Sequence, residues 1–208
     1  MELYIMRHGQ TESNRQHLLQ GQMNTKLSED GIQQAQEARQ HFQEQGIVFD
    51  RVICSPLDRA RKTAELASGF APEDLIVDER IKEIGFGPLE GHKVEALDED
   101  TLKFFKDPEH YVSPEGAEPY EQLIARTWDF LQNMLQQKPE GRTLVVSHGA
   151  AIHAMYLKLL DLPMIDFWTT TMGNCGYFIV TEEAGLLKVT GTHFNEQYRT
   201  LPKFAENK

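Results

Sequence analysis

Cysteine is scarce in this chain: 208 residues include two, Cys54 and Cys175. Two thiols set no disulfide framework, and free core cysteines suit a reducing cytoplasm. Long apolar runs are missing too, since none approaches the ~18 residues that a membrane helix needs. The chain enters a strand-like run almost at once, Leu3-Tyr4-Ile5-Met6, so a signal peptide is not expected. Positive charge is in deficit, with 21 Lys and Arg against 32 Asp and Glu and a formal net charge of −11. Nucleic acids and anionic membranes reward basic patches, so neither is an expected partner. The expectation is a cytoplasmic protein built as a single domain over residues 1–208.

Several catalytic signatures are absent as well. Counting a Cys-x5-Arg loop from Cys54 lands on Ala60, with Arg59 and Arg61 on either side. No G-x-x-x-x-G-K-S/T loop and no G-x-S-x-G elbow occur. Gly85-Phe-Gly87 opens like a dinucleotide loop, yet Glu90 stands at the third glycine position. His148 and His153 are five residues apart, which does not put two metal ligands on one helical face.

What is present is a pattern of short apolar runs, each followed by basic or imidazole residues. Arg7-His8-Gly9 follows the first run, Ser55-Pro-Leu-Asp-Arg59 follows Val52-Ile53, and Ser147-His148-Gly149 follows Leu144-Val145-Val146. Strand-like segments at 2–6, 52–54, 76–77 and 143–147 alternate with helical patterns at 29–45, 57–70, 117–137 and 150–160. Ser28 is the expected N-cap of the first helix, whose apolar positions read Ile32, Ala35, Ala38 and Phe42. Residues 177–180 and 186–192 alternate around a turn and read as a hairpin. The fold expected is a three-layer α/β/α architecture with a mostly parallel central sheet and an antiparallel C-terminal edge. Residues 8–26 read as a long polar loop, and the irregular stretch at about 81–116 as an insertion capping or lining a cleft. Ligands of such sheets bind beyond the carboxyl ends of the strands, where His8, Arg59 and His148 would sit.

Those residue types suit an anion. A transferring phosphoryl group spreads charge over three oxygens, and the planar fork of Arg7 or Arg59 matches them. A neutral imidazole supplies a nucleophilic nitrogen, and the amides following His148 at a helix start also favour an anion. A carboxylic acid must protonate the leaving oxygen; Glu83 is the first candidate, with Glu12 and Glu90 behind it. His17, His41, His92, His110, His153 and His193 read as ordinary hydrogen-bonding residues. Phe104, Phe105, Tyr111 and Tyr120 could contact an apolar leaving group, but read first as packing residues of the insertion.

Taken together, the blocks Arg7-His8-Gly9-Gln-Thr-Glu12-Ser-Asn14, Gln20-Gly21 through Leu27, Ser55-Pro-Leu-Asp-Arg59-Ala-Arg-Lys-Thr63-Ala, Glu83 through Gly91 and Val145-Val-Ser-His148-Gly149 resemble the histidine phosphatase (phosphoglycerate mutase-like) superfamily. The resemblance implies that His8 becomes phosphorylated, that Arg7, Arg59 and His148 hold the phosphoryl group, and that Asn14 hydrogen-bonds it. It further implies that Gln20, Gly21 and the Gly149 backbone line the pocket and that Glu83 is the proton donor and acceptor. It implies a metal-independent phosphomonoester hydrolase with no cofactor, acting on a small phosphorylated metabolite. The alternative it leaves open is a cofactor-dependent phosphoglycerate mutase, and a non-catalytic binding module is a third. Mutases similar to this family carry a Tyr-Gly-x-Leu-x-Gly-x-Asn-Lys block where this chain has Phe86-Gly-Pro-Leu-Glu-Gly-His-Lys93, which favours the phosphatase. Asn24, Lys26 and Leu89 also depart from the family's usual residues.

Overall fold

A computed structural model describes residues 1–195 and 197; the last part of the single-domain reading, residues 198–208, lies outside them together with residue 196. In chain order the elements are β1 (Glu2–Arg7), α1 (Glu12–Arg15), α2 (Glu29–Glu44), β2 (Arg51–Cys54), α3 (Asp58–Ser68) and β3 (Ile76–Val77). There follow α4 (Glu99–Lys106), α5 (Tyr120–Gln137), β4 (Arg142–Ser147), α6 (Gly149–Leu159), β5 (Tyr177–Glu183) and β6 (Leu186–His193). The sheet order is β3-β2-β4-β1-β5-β6. The first four strands run parallel, and β5 and β6 add the antiparallel edge.

The inner strands are apolar at successive positions because both of their faces are covered. Leu3 and Ile5 of β1 pack with Val145, Phe178 and residues of α5 and α6, such as Phe130 and Ile152. Tyr4 and Met6 point the other way, toward Val146, Phe42 of α2 and Ala60 and Ala64 of α3. The result is three layers, with α2 and α3 below the sheet and α5 and α6 above it. A third apolar cluster joins Phe86, Phe104, Tyr120, Ala150 and Phe167, outside the sheet and around the 81–116 segment. That segment is a series of single 3₁₀ turns with α4 among them. Helix α5 starts at Tyr120 rather than at about Ala117, because Pro119 takes the N-cap with extended backbone and disfavours helix in the residue before it.

One sequence expectation is corrected. Ser28 caps α2 through the Gly31 amide as expected, but Ile32 is exposed, and the buried face runs through Gly31, Gln34, Ala35 and Phe42. The cause is the loop after β1, which docks backbone against backbone on the first turn of α2. Gln34 Oε1 accepts the Gln10 amide at 2.9 Å, and a Cβ on Gly31 would overlap the Gln10 carbonyl. Gly31→Ala would add about 1 kcal/mol of helix propensity at an exposed site. Here it is expected to lose about 2 kcal/mol through overpacking, seen as a lower urea midpoint at unchanged m-value. A stabilised variant would contradict the close approach.

The long polar loop expected at 8–26 also holds the four-residue α1, closed by a reciprocal cap between Thr11 and Asn14. Asn at the fourth position replaces the Glu or Gln that makes such a cap readable.

Candidate active site

β1, β4 and β2 end in register. Arg7 lies beside Ser147, and Cys54 beside Val146, so His8, His148 and Ser55 leave the sheet at one edge. The His8 amide donates to the Ser147 carbonyl at 3.0 Å, and the Ser55 amide to the Val146 carbonyl at 3.0 Å. Three chain segments remote in sequence thus meet at the carboxyl end of the parallel strands.

His8 is 2% exposed, and its Nδ1 lies 2.6 Å from the Gly9 carbonyl oxygen. A carbonyl only accepts, so Nδ1 carries the proton and Nε2 keeps its lone pair. Burial, then the charges of Arg59 and Arg7, hold the His8 pKa well below its ordinary range. The neutral ring is therefore the form present at neutral pH. His148 packs its ring 5.1 Å from that of His8, with Nε2 2.7 Å from Ser55 Oγ; its Nδ1 is buried without a hydrogen-bond partner. Burial and the neighbouring Arg59 depress its pKa as well.

Arg59 opens the first turn of α3 and is fully buried. Its guanidinium donates to the carbonyls of Gly21 and Met23, both at 2.7 Å, while Nε is buried without a partner. Burial pushes its pKa down to about 10, which still leaves it charged at neutral pH. Glu83 and Glu90 act on its charge from nearby, while its direct partners are neutral carbonyls. Gly21 makes this possible at φ +50°, in a place where a Cβ would overlap the Glu90 carboxylate. Arg7 anchors Nη1 on the Met172 carbonyl at 2.7 Å.

Glu83 enters from the 81–116 segment. Its carboxylate accepts the Ile84 amide at 3.0 Å, the Ala151 amide at 3.2 Å and the Ala150 amide at 3.3 Å. The amides at the start of α6 that were expected to face an anion are therefore turned to Glu83. Burial raises the Glu83 pKa above the ordinary carboxylate range, against the opposing pull of Arg59 and those amides. The other two candidate acids serve elsewhere: Glu12 is exposed beside Arg15, and Glu90 accepts the Gln22 and Phe86 amides.

Arg7, His8, Asn14, Gln20, Gly21, Arg59, Glu83 and Gly149 all line one cavity. His148 does not reach its wall and stands against His8 instead. Asn14 Oδ1 is held by Thr11, and Gln20 Oε1 by the hydroxyls of Thr11 and Thr25, so each amide has its oxygen fixed by the loop. Among the described residues, no group of three or more His, Cys, Asp or Glu side chains is placed to hold a metal ion. No described helix is long and apolar enough to cross a membrane.

With this geometry in place, the sequence profile of the histidine phosphatase superfamily, branch 1, matches residues 3–193. The chain belongs to that superfamily. This histidine phosphatase is 33% identical over 179 residues to a probable phosphoglycerate mutase GpmB of Erwinia tasmaniensis, spanning 84% of this chain and 82% of that one. Its fold superimposes on a mutant phosphoserine phosphatase of Entamoeba histolytica, solved with phosphoserine, at a TM-score of 0.82 and 29% identity, covering 95% of this chain and 98% of that one. A mycobacterial glucosyl-3-phosphoglycerate phosphatase complexed with VO3 follows at 0.78 and 27%, covering 91% and 97%.

Sequence reasoning missed several parts of the histidine phosphatase site. His17 and His153, given purely structural roles, line the cavity together with Phe104 and Phe105, for which packing was the first reading and ligand contact the second. Asn174 donates to the His8 carbonyl at 2.9 Å and Thr63 accepts the Gly9 amide at 3.0 Å, fixing the main chain on both sides of the imidazole. Arg126 of α5 forks onto Glu118 and donates to the carbonyls of Arg80, Lys82 and Glu83. It thereby holds the end of the 3₁₀ turn and the following residues that present Glu83. Nothing local marks these residues; each acts through a partner that only the fold brings near.

Proposed function

We propose that this histidine phosphatase is a metal-independent phosphomonoester hydrolase in which His8 is transiently phosphorylated. The observation that carries this is His8 itself: a neutral imidazole with Nε2 unprotonated, opening into a cavity beside two buried guanidiniums. Arg7 and Arg59 bind the phosphoryl oxygens, assisted by the amides of Asn14 and Gln20, with Gly21 and Gly149 giving close backbone approach. His148, held by Ser55, backs the His8 ring instead of touching the phosphoryl group as the family resemblance implies. Nε2 of His8 attacks phosphorus as the bond to the ester oxygen breaks, and that oxygen takes the proton of Glu83. Water then attacks the phosphohistidine, giving its proton to the Glu83 carboxylate. Phosphate departs and His8 returns to its neutral form. The substrate is a small phosphorylated metabolite, in keeping with the phosphoserine bound by the Entamoeba protein. Two free, buried cysteines fit a reducing, cytoplasmic setting.

The name of the Erwinia relative favours a second reading, a phosphoglycerate mutase using the same phosphohistidine. The two separate in one assay. Phosphate release from several monoesters in EDTA, with no bisphosphate added, is the outcome expected of the hydrolase. Interconversion of phosphoglycerates without release, dependent on a bisphosphate primer, would assign the mutase. Activity lost in EDTA and restored by a divalent cation would overturn the metal-independent mechanism.

A further inference from the structure

The cavity has two chemically different parts. Its floor carries Arg7, His8, Arg59 and Glu83. Its outer wall is apolar: Leu19, Phe86, Val94, Phe104, Phe105 and Trp168, drawn from the loop after α1, the 81–116 segment and the loop after α6. Thr170 and Thr171 line the cavity as well, but the one polar side-chain atom of the six wall residues is already engaged within the protein. Trp168 Nε1 donates to the Phe104 carbonyl at 2.7 Å, and so does the Tyr120 hydroxyl, also at 2.7 Å. Both ring nitrogens of His153 are directed at carbonyl oxygens, of Gly149 at 2.7 Å and of Thr170 at 2.6 Å, so this residue offers the cavity its ring. Phe104 is locked by Tyr120 stacked at 4.8 Å and by Phe86 and Phe105 edge-on at 4.9 and 4.8 Å, so the wall is preformed.

The charges complete the contrast. Arg7 and Arg59 are the only Arg or Lys among the described lining residues, and both belong to the floor. At the mouth His17 is paired with Glu95. A leaving group with its own carboxylate would find no counter-charge on this wall, in a chain of net charge −11. An uncharged flat or apolar leaving group would displace water from aromatic surface and keep every wall hydrogen bond intact.

Building on the hydrolase reading, we propose that the preferred substrates are phosphate monoesters of uncharged alcohols carrying an aromatic or similarly apolar group near the ester oxygen. Acidic alcohols such as glycerate and serine are disfavoured. The test compares 3-phenylpropyl phosphate, glycerol 3-phosphate and 3-phosphoglycerate, all esters of primary alcohols with similar leaving tendency. Calorimetric binding to the His8→Ala protein reads recognition without turnover, and kcat/KM of the wild type reads the reaction. Phenylpropyl phosphate is expected to bind about 10- to 100-fold tighter than either polar ester. Trp168→Ala should collapse that ratio. Leu18→Lys, at the half-buried rim, should shift it toward 3-phosphoglycerate with the aromatic cluster untouched. Equal or tighter binding of either polar ester overturns the apolar leaving-group site. Preferential phenylpropyl binding without phosphate release by the wild type would retain that site and remove the hydrolase reading instead.

Discussion

His8→Ala is expected to abolish phosphate release, by on the order of 10⁴-fold or more, while the protein stays folded. The imidazole is the group whose Nε2 would form the bond to phosphorus, and no neighbouring nitrogen can replace it. His148 has Nε2 against Ser55 Oγ and is absent from the cavity wall. The loss to stability is small, because the ring makes one side-chain hydrogen bond, and that to its own neighbour Gly9. The main chain around it is held independently by Asn174 and Thr63. The measurement is steady-state release beside a thermal melt. Wild-type protein quenched into alkali during turnover should carry phosphate on His8 and the variant none. Undiminished turnover by the variant would sink the mechanism.

Glu83→Gln should discriminate among substrates rather than slow them all. An alkyl ester leaves as a strongly basic alkoxide and needs a proton in the transition state; an aryl ester does not. Alkyl esters are expected to slow about 10²- to 10⁴-fold, and aryl esters much less. The pH dependence follows from the same group. Burial raises the Glu83 pKa, so its proton-donating form is present at low pH and is lost as pH rises through that raised value. His8 is depressed, so its attacking form is present across the neutral range and is lost only in acid. Alkyl ester turnover should therefore fall on the alkaline side in the wild type, and that limb should vanish in Glu83→Gln. Equal slowing of alkyl and aryl esters would remove Glu83 from the role.

The strands and the convergence of Arg7, His8 and Arg59 on one cavity were legible for one reason. A strand buried on both faces is a short continuous apolar run, and the residues just after it occupy the ligand edge; Arg7, His8 and His148 follow directly. Arg59 was readable because it opens the helix after such a run. The buried face of α2 was not, because Gln10 main chain sets it by docking on Gly31, while Ile32 looks like the core residue. Arg126 was invisible for a similar reason: five hydrogen bonds to segments about 8 to 46 residues away give a helix-surface arginine no sequence mark. Phe104 and Phe105 were read first as packing and second as contacts for an apolar leaving group. They do pack, and the choice of a second role depends on which ring edges the cavity leaves open, which no spacing reveals.

Arg7, His8 and Arg59 in the floor of the cavity follow the ends of inner strands, whereas its apolar wall comes from turns and loops outside the sheet. Glu83 shares that outer segment but is pinned separately by the α6 amides and Arg126. Drift in the wall therefore leaves the strand register and the His8–His148 pairing alone. Such a scaffold can change what it recognises by exchanging loops, while inheriting its reaction unaltered. The phosphoserine and glucosyl-3-phosphoglycerate phosphatases that share this fold are two outcomes consistent with that separation.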